Sequence, residues 1–419
     1  MPYREQIPVD KGIDNTAKLL IEGYNYITNR RNKFGRDIFE TRLLGGQKAI
    51  CIAGEEAVKV FYDEEKFVRN GAAPKRLRQT LFGENSIQTT DDQKHRHRKE
   101  LFMSLMTKER LEDMNRLIER ELVNAIDRWS NDEEVVLYNE MVLLLTSAAC
   151  EWAGIPVKQD ELGKVANELE AMFDSAGAIG VRHWKGRVSR NMAESWLQQL
   201  VQQTRKGKVE GSKDTALYKM AWYQDMNGEL LNERIVAVEL LNILRPIVAI
   251  SVYITFVALA LYEHPSEKEK LMNGDGEYAV LFIQEVRRYY PFFPLLTARV
   301  REDFLWNGHD FKKGNLVLLD IYGTNRHPDI WEHPNTFFPE RFKDREESFY
   351  DFIPQGGGDY YRGHRCPGEW MTIEVMKVAL DIFVNKMEYQ VPKQDLRYSM
   401  LRFPSLPQSR FVISRVKKL

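Results

Sequence analysis

The segment from Ile247 to Tyr262 is almost wholly apolar, and it constrains the fold more than any other stretch of the chain. Its 16 residues fall short of the roughly 20 that a membrane-spanning helix needs. It contains Ser251 and Thr255, and it is followed by a Glu-His-Pro sequence that ends a helix. We therefore predict a helix buried in a large helical core, and no membrane span.

Helical periodicity dominates from Glu100 to Tyr262, whereas strand and turn patterns lie toward both ends of the chain. Predicted strands lie at 38–44, 48–52, 303–306, 316–320 and 411–414, and a polar loop is predicted at 70–93. We find no repeat or low-complexity tract. The sequence predicts a single domain, 1–419, that is mainly α with small β portions. Its parts are an N-terminal β portion at about 34–63, a helical body at about 94–290 and a cysteine loop at about 352–368.

The charge balance and the cysteine count narrow the class of protein. Lys and Arg number 60 against 61 Asp and Glu, so the net charge of -1 favours no nucleic-acid partner. The N-terminus has no positive region followed by an apolar core, and we expect a cytoplasmic protein. The three cysteines, at 51, 150 and 366, form no C-x-x-C pair. A secreted disulfide scaffold and a zinc or iron–sulfur site are therefore poorly supported.

Cys366 lies in residues 363–369, which read GHRCPGE. Pro367 predicts a helix start, because proline has no N–H to lose at the first helical position. A cysteine at a helix N-terminus is favoured as thiolate, and the neighbouring glycines allow a flat ligand to approach closely. Taken alone, a lone cysteine of this kind is more often an inert free thiol in a loop.

Two further motifs precede the cysteine loop. Glu285 and Arg288 are three residues apart, on one face of a predicted helix, where a solvated surface pair is the ordinary interpretation. The segment Pro339–Phe342 (PERF) follows, and the Cys366 loop comes last.

In this order, the three motifs resemble those of the cytochrome P-450 superfamily of haem-thiolate enzymes. The resemblance covers nearly the whole chain and implies the P-450 fold, with haem b bound and Cys366 as the iron ligand. It also implies that Glu285, Arg288 and Arg341 form a buried structural charge network. Loss of one partner would strand a buried charge, at a cost of about 3–5 kcal/mol. Residues 356–361, GGGDYY, replace the usual Phe and Gly before the thiolate.

A basic run, HRHRK at 95–99, is by default a solvated helix face. The resemblance places His95 and Arg98 where residues pair with the haem propionates, and Arg69 is a further candidate. His364 stands at another propionate-contacting position. Buried propionates need such charge-assisted donors.

The long apolar helix carries Arg245 and Pro246 where most members of the superfamily have an acidic residue followed by threonine. Pro246 is expected to kink the helix. Arg245 needs an anion if it is buried, and an internal Asp or Glu, a propionate or a ligand carboxylate would each serve. The Arg-Pro pair resembles the bacterial fatty-acid peroxygenase branch, in which this arginine holds the substrate carboxylate.

The branch implies hydrogen peroxide as co-substrate, a long-chain fatty acid as substrate and no obligatory redox partner. The carboxylate held by Arg245 would act as general acid and base, which gives hydroxylation at the alpha or beta carbon. Phe82, Gln88 and Pro246 match pocket residues of the branch, with Gln88 close to the chemistry. Alkene-forming relatives tend to carry histidine at the place of Gln88, so glutamine favours hydroxylation over decarboxylation. A reductase-dependent monooxygenase and a non-catalytic haem sensor are the alternatives.

Overall fold

Helices make up most of the computed structural model, which describes residues 6–209, 211–274, 276–346 and 348–419. The helices are α1 (Thr16–Glu22), α2 (Tyr26–Phe34), α3 (Glu55–Phe61), α4 (Lys75–Leu77), α5 (Asp92–Met103), α6 (Lys108–Trp129), α7 (Leu137–Ala153), α8 (Gln159–Asp174), α9 (Val181–Arg205), α10 (Ala216–Ala221), α11 (Glu233–Glu263), α12 (Pro265–Asn273), α13 (Glu277–Tyr289), α14 (Ile321–Thr324) and α15 (Glu369–Asp381). The prediction of a mainly α fold is confirmed.

The strands form three small sheets. They are β1 (Ile38–Leu43), β2 (Gln47–Ile52), β3 (Phe67–Val68), β4 (Glu134–Val136), β5 (Leu295–Val300), β6 (Phe304–Trp306), β7 (His309–Phe311), β8 (Leu316–Asp320), β9 (Met387–Gln390) and β10 (Val412–Lys418). The largest sheet has the order β1-β2-β8-β5-β3, with β2 and β8 parallel and the other pairs antiparallel. The predicted strands all occur, each within a residue or two at its start.

Helix α11 is the centre of the molecule. It begins at Asn232, whose side chain accepts a hydrogen bond from the backbone N–H of Arg234 at 2.9 Å. It ends before Pro265, which starts α12. The most apolar 18-residue stretch of α11 is 94% buried inside the protein, and the helix packs against α7, α8, α9 and α15. The predicted buried core helix is therefore confirmed.

The segment predicted as a polar loop, 70–93, is partly helical, and that prediction was wrong. It contains α4, a π-helical turn at Arg78–Phe82 and a 3-10 turn at Ile87–Thr89 before α5 begins at Asp92. Composition hid these turns because their apolar residues are few and too closely spaced to show a helical period. Their burial of Leu81 and Ile87 against the helical core fixes this segment beside α11.

Candidate active site

The cysteine loop is anchored at its backbone. The N–H of Cys366 donates to the carbonyl of Gln355 at 3.1 Å, and the Gln355 side chain approaches the sulfur at 3.8 Å. Helix α15 has its N-cap at Gly368, so it starts two residues later than Pro367 predicted. The proline precedes the helix here because the loop continues through Gly368 before the first helical hydrogen bond forms.

The protein groups alone do not favour the thiolate form of Cys366 that the sequence analysis predicted. Burial, and then the nearby Glu369, raise the pKa of Cys366, while the Gly368 N–H, Lys99 and Arg287 act to lower it. Desolvation thus outweighs the effect of the helix N-terminus on the Cys366 pKa. The prediction that the helix N-terminus favours the thiolate was wrong for the protein groups alone. A bound metal cation would reverse this balance, since a thiol that coordinates a metal is deprotonated.

A buried network of ion pairs links the cysteine loop to α13 and α15. Glu369 is 2% exposed and accepts from both Arg287 and Arg365, the latter at 2.6 Å. Arg287 also donates to the Gln355 side chain at 2.9 Å, which links α13 to the loop. The sequence analysis did not assign Arg287, although it lies inside the same motif as Glu285 and Arg288.

The predicted charge network is present in full. Glu285 accepts two hydrogen bonds from Arg288, both at 2.7 Å, and lies 3.2 Å from the Arg341 Nε atom. It also accepts from the backbone N–H of Phe338 at 2.8 Å, next to the second motif. Arg288 donates further to the carbonyls of residues 325, 334 and 336. Because Glu285 and Arg288 are almost completely buried, the pair fastens α13 to the segment before the cysteine loop.

A second group of donors lies on the other side of the loop. The rings of His95 and His364 stack at 3.8 Å between centroids, and His364 lies 3.7 Å from Asp91. Burial, with His364 and Lys99 nearby, lowers the pKa of His95 to about 2, and burial lowers that of His364 to about 4. Both imidazoles are therefore neutral at pH 7. Arg69 is buried beside them, and its backbone N–H donates to Asp91 at 2.7 Å.

Two bases of the 95–99 run point to different partners. Arg98 donates to Glu239 on α11 at 2.8 Å and to the carbonyl of Asn85 at 2.6 Å. Lys99, which the sequence analysis passed over, is 1% exposed and donates to the carbonyl of Arg365 in the cysteine loop. Lys99 is four residues from His95, so both side chains lie on one face of α5. This spacing could have indicated from the sequence that Lys99 belongs to the site.

Arg245 is 7% exposed, on the part of α11 that faces the site. Burial, and then Arg190, lower its pKa to about 9, while the charge of Cys366 acts in the opposite direction. Within the described ranges, its one hydrogen bond is to the Asn242 side chain, at 3.3 Å, and its buried Nε atom has no partner there. Among the residues that the structure describes, no carboxylate lies within ion-pair distance of Arg245. The site therefore holds a buried cation that remains available to an anion.

The surroundings of Arg245 are fixed by buried polar groups. Arg190 of α9 pairs with Glu194 at 2.6 Å and donates to the carbonyls of residues 81 and 82. Glu239 accepts from Arg98, from Asn242 and from the backbone N–H of residue 87. Since Glu239 is engaged in this way, it is not the counterion of Arg245. Sequence reasoning found neither Arg190 nor Glu239, because most of their partners lie in segments far away in the chain.

The segment 82–88 closes over this part of α11. The carbonyl of Phe82 accepts from Asn242 at 3.0 Å and from Arg190 at 3.1 Å. The side-chain oxygen of Gln88 is buried and has no hydrogen-bond partner among the described residues. Pro246 follows Arg245 directly and is partly exposed. The structure thus brings the predicted pocket segments together.

The comparisons with known proteins agree with this geometry. The sequence model of the cytochrome P-450 family matches residues 274–413. The structure of cytochrome P450EX alpha (CYP152N1) with myristic acid is 47% identical, with a TM-score of 0.96, and the match covers 99% of this chain and 100% of that one. The chain belongs to the cytochrome P-450 family.

Its place within the cytochrome P-450 family is the CYP152 branch, the fatty-acid peroxygenase branch that the Arg-Pro pair indicated. A variant of cytochrome P-450 OleT in complex with arachidonic acid is 37% identical, with a TM-score of 0.96 over 99% of both chains. Psoralen synthase from Pastinaca sativa is 33% identical, over 30% of this chain and 27% of its own length.

The residues present fit the haem of a cytochrome P-450. Cys366 offers the sulfur ligand on one side of the loop. Arg69, Lys99, His95 and His364 offer two cations and two imidazoles beside the Asp91 carboxylate. Such an excess of buried donors suits the two propionates of the haem. Arg98 is held by Glu239 instead, so its proposed contact with a propionate depends on its remaining N–H groups.

The Asp91 carboxylate makes stability dependent on pH. Burial acts to raise its pKa, but the nearby His364 imidazole and hydrogen bonds from the backbone N–H groups of Arg69 and Asn70 lower it to about 2. A lowered carboxylate pKa stabilises the fold above the unfolded value of 3.8, and this contribution is lost as the pH falls toward 2. We expect Asp91→Asn to lower the free energy of unfolding by about 2 kcal/mol at pH 6 and by less at pH 3. Urea unfolding at both pH values measures the difference, and an equal loss at both would contradict it.

Proposed function

We propose that this cytochrome P-450 hydroxylates long-chain fatty acids at the alpha or beta carbon, with hydrogen peroxide as co-substrate. The observation that carries the proposal is Arg245, a buried guanidinium with no acid partner among the described residues, in the electrostatic field of Cys366. CYP152N1 has been solved with myristic acid and OleT with arachidonic acid, which supports a fatty acid as the ligand.

The protein positions the acid through its headgroup. A guanidinium offers two parallel N–H donors to a carboxylate, so Arg245 would fix both the position and the orientation of the headgroup. The carbons next to the headgroup would then lie nearest to the reacting centre. When bound, a haem held through the Cys366 sulfur would supply the oxidation chemistry, which electron donation from a thiolate ligand favours. Regiochemistry follows from the distance that Arg245 sets.

The proton transfer is assigned to the substrate. Glu239 is the buried acid of α11 in this region, and it is occupied by Arg98, Asn242 and a backbone N–H. Farther along the helix, the Thr255 hydroxyl donates to the carbonyl of Ser251 at 2.7 Å. Neither group is available as a relay at Arg245. A substrate carboxylate oxygen held there would accept the peroxide proton and return it, as general base and then general acid.

The same reasoning supports the absence of an obligatory reductase partner, since peroxide brings both the oxygen atom and the oxidising equivalents. A cytoplasmic location remains a prediction from the sequence. The test is product analysis by mass spectrometry after the haem-loaded protein is incubated with myristic acid and hydrogen peroxide. Hydroxymyristic acid is expected. Loss of turnover on adding a peroxide scavenger is expected as well, whereas turnover that persists with a reductase and NADPH would identify a monooxygenase. An unchanged fatty acid would identify a haem carrier or sensor.

Decarboxylation to a terminal alkene is the second candidate reaction, because the OleT structure matches the whole chain. The sequence indicates residue 88 as the difference between this pocket and that of alkene-forming relatives. The side-chain oxygen of Gln88 is buried and has no hydrogen-bond partner among the described residues. We expect Gln88→His to raise the ratio of alkene to hydroxy acid, since an imidazole offers a titratable group where the amide offers none. Gas chromatography of both products from one reaction measures the ratio. An unchanged ratio would show that residue 88 does not control the outcome.

A further inference from the structure

Helix α9 carries an exposed apolar stripe along its first turns. Val181, Trp184, Val188 and Met192 recur every three or four residues, which places them on one face of the helix. Their exposed fractions are 85%, 59%, 52% and 46%. Ile179, just before the helix, is 61% exposed. The opposite face of α9 packs against α8 and α11, so the stripe is not needed for the core.

The stripe continues onto neighbouring segments of the surface. Arg402 of the C-terminal region pairs with Asp174, the last residue of α8, at 3.0 Å. Leu401 beside it is 53% exposed. The carbonyl of Met400 accepts a hydrogen bond from the backbone N–H of Tyr24, in the turn that follows α1, and Ile21 near the end of α1 is 70% exposed. Three segments thus contribute exposed apolar side chains to one region, and contiguous patches of this kind mark interaction surfaces.

The charge around the stripe is positive. Residues 175–193 contain no Asp or Glu, whereas Lys185 and Arg187 lie next to the stripe. Neither base makes an ion pair with any residue of the described ranges. Burial, and then Arg76 and Arg187, lower the pKa of His183, which shows the sign of the local field. The net charge of -1 for the whole chain conceals this local excess.

We propose that this face docks on the surface of an anionic lipid bilayer, with the α9 stripe inserted among the lipids and Lys185 and Arg187 at the phosphates. Apolar residues flanked by bases are the pattern of interfacial helices. A second copy of this chain is a poorer occupant, because a twofold contact through the stripe would bring the same bases together. The inner face of α9 carries Arg190, which borders the site, so the docked surface is one helix diameter from it.

Flotation with lipid vesicles tests the proposal on the haem-loaded protein. The vesicles are pure phosphatidylcholine, or phosphatidylcholine with one third phosphatidylglycerol. Wild type is expected to bind the anionic vesicles, and the double variant Trp184→Ser, Val188→Ser is expected to bind at least about tenfold more weakly. Charge reversal by Lys185→Glu is expected to weaken binding by about fivefold or more. The haem spectrum of each variant reports that it is folded.

Matched controls distinguish lipid binding through this face from non-specific binding to lipid. Trp222→Ser removes an exposed tryptophan that directly follows α10, and Lys158→Glu reverses a charge at the far end of α8. Both are expected to bind like wild type. No binding by wild type, or equal binding by the Trp184→Ser, Val188→Ser variant, would overturn the proposal. A dimer in light scattering that Trp184→Ser dissociates would also overturn it in favour of a second copy. The readout needs no peroxide turnover, so its failure leaves the proposed reaction untouched.

Discussion

Replacing Arg245 by alanine is expected to lower kcat/KM for peroxide-driven turnover of a long-chain fatty acid by at least about a hundredfold. Loss of one partner from a buried, hydrogen-bonded charge pair costs about 2–5 kcal/mol, and here the lost partner also positions the proton-transfer group. The variant should fold and bind haem, because Arg245 makes no ion pair with a described residue whose loss would strand a charge. Initial rates with myristic acid, together with the haem spectrum, measure both effects.

Arg234→Ala is the matched control, since it removes an arginine from the same helix whose side chain is 68% exposed. It should leave turnover close to that of wild type. Arg245→Lys keeps the charge but loses the parallel donors, so an intermediate rate and a less selective alpha-to-beta product ratio are expected. Full activity in Arg245→Ala would refute the assigned role of the guanidinium.

The second large effect concerns stability. Glu285→Ala removes the carboxylate that pairs with Arg288 and Arg341, and both guanidinium groups then lose their buried acid. We expect a loss of about 3–5 kcal/mol in the free energy of unfolding, enough to abolish recovery of folded haem protein at ordinary temperature. Urea unfolding, or the yield of haem-loaded protein where none survives purification, measures it.

Glu340→Ala provides the comparison from the neighbouring motif. Glu340 pairs with Lys270 near the surface, and its side chain is 30% exposed. Surface pairs of this kind contribute about 0–1 kcal/mol. If the two alanine variants were equally destabilised, the burial of the Glu285 network would not be the source of its importance.

The parts of this site that the sequence analysis named are encoded locally. Cys366, the spacing of Glu285 and Arg288 and the Arg245-Pro246 pair each carry chemistry within a few residues, and their order along the chain supplied the rest. Arg190 lacked such a signal, and Lys99 had only its four-residue spacing from His95. Both are held mainly by backbone carbonyls from distant segments. No composition or periodicity reports a contact of that kind.

The boundaries of elements were less predictable than their existence. Pro367 indicated the first turn of α15, yet the helix begins after Gly368, because the loop backbone bonds to residue 355 first. The segment 70–93 looked like a loop from its polar composition. Its short helical turns depend on burial of Leu81 and Ile87 against helices remote in sequence. Tertiary packing decided both cases.

The charges of Arg190 and Arg245 are expected to make binding selective for anionic ligands over neutral ones. Arg190 has Glu194 as a partner, yet its charge still acts on Arg245 across the site. A ligand with a carboxylate headgroup would reduce this repulsion on binding, which is expected to add to its affinity. An alcohol or methyl ester of equal length brings no such relief. We therefore expect the protein to bind a fatty acid more tightly than its neutral derivatives, whether or not an oxidant is present.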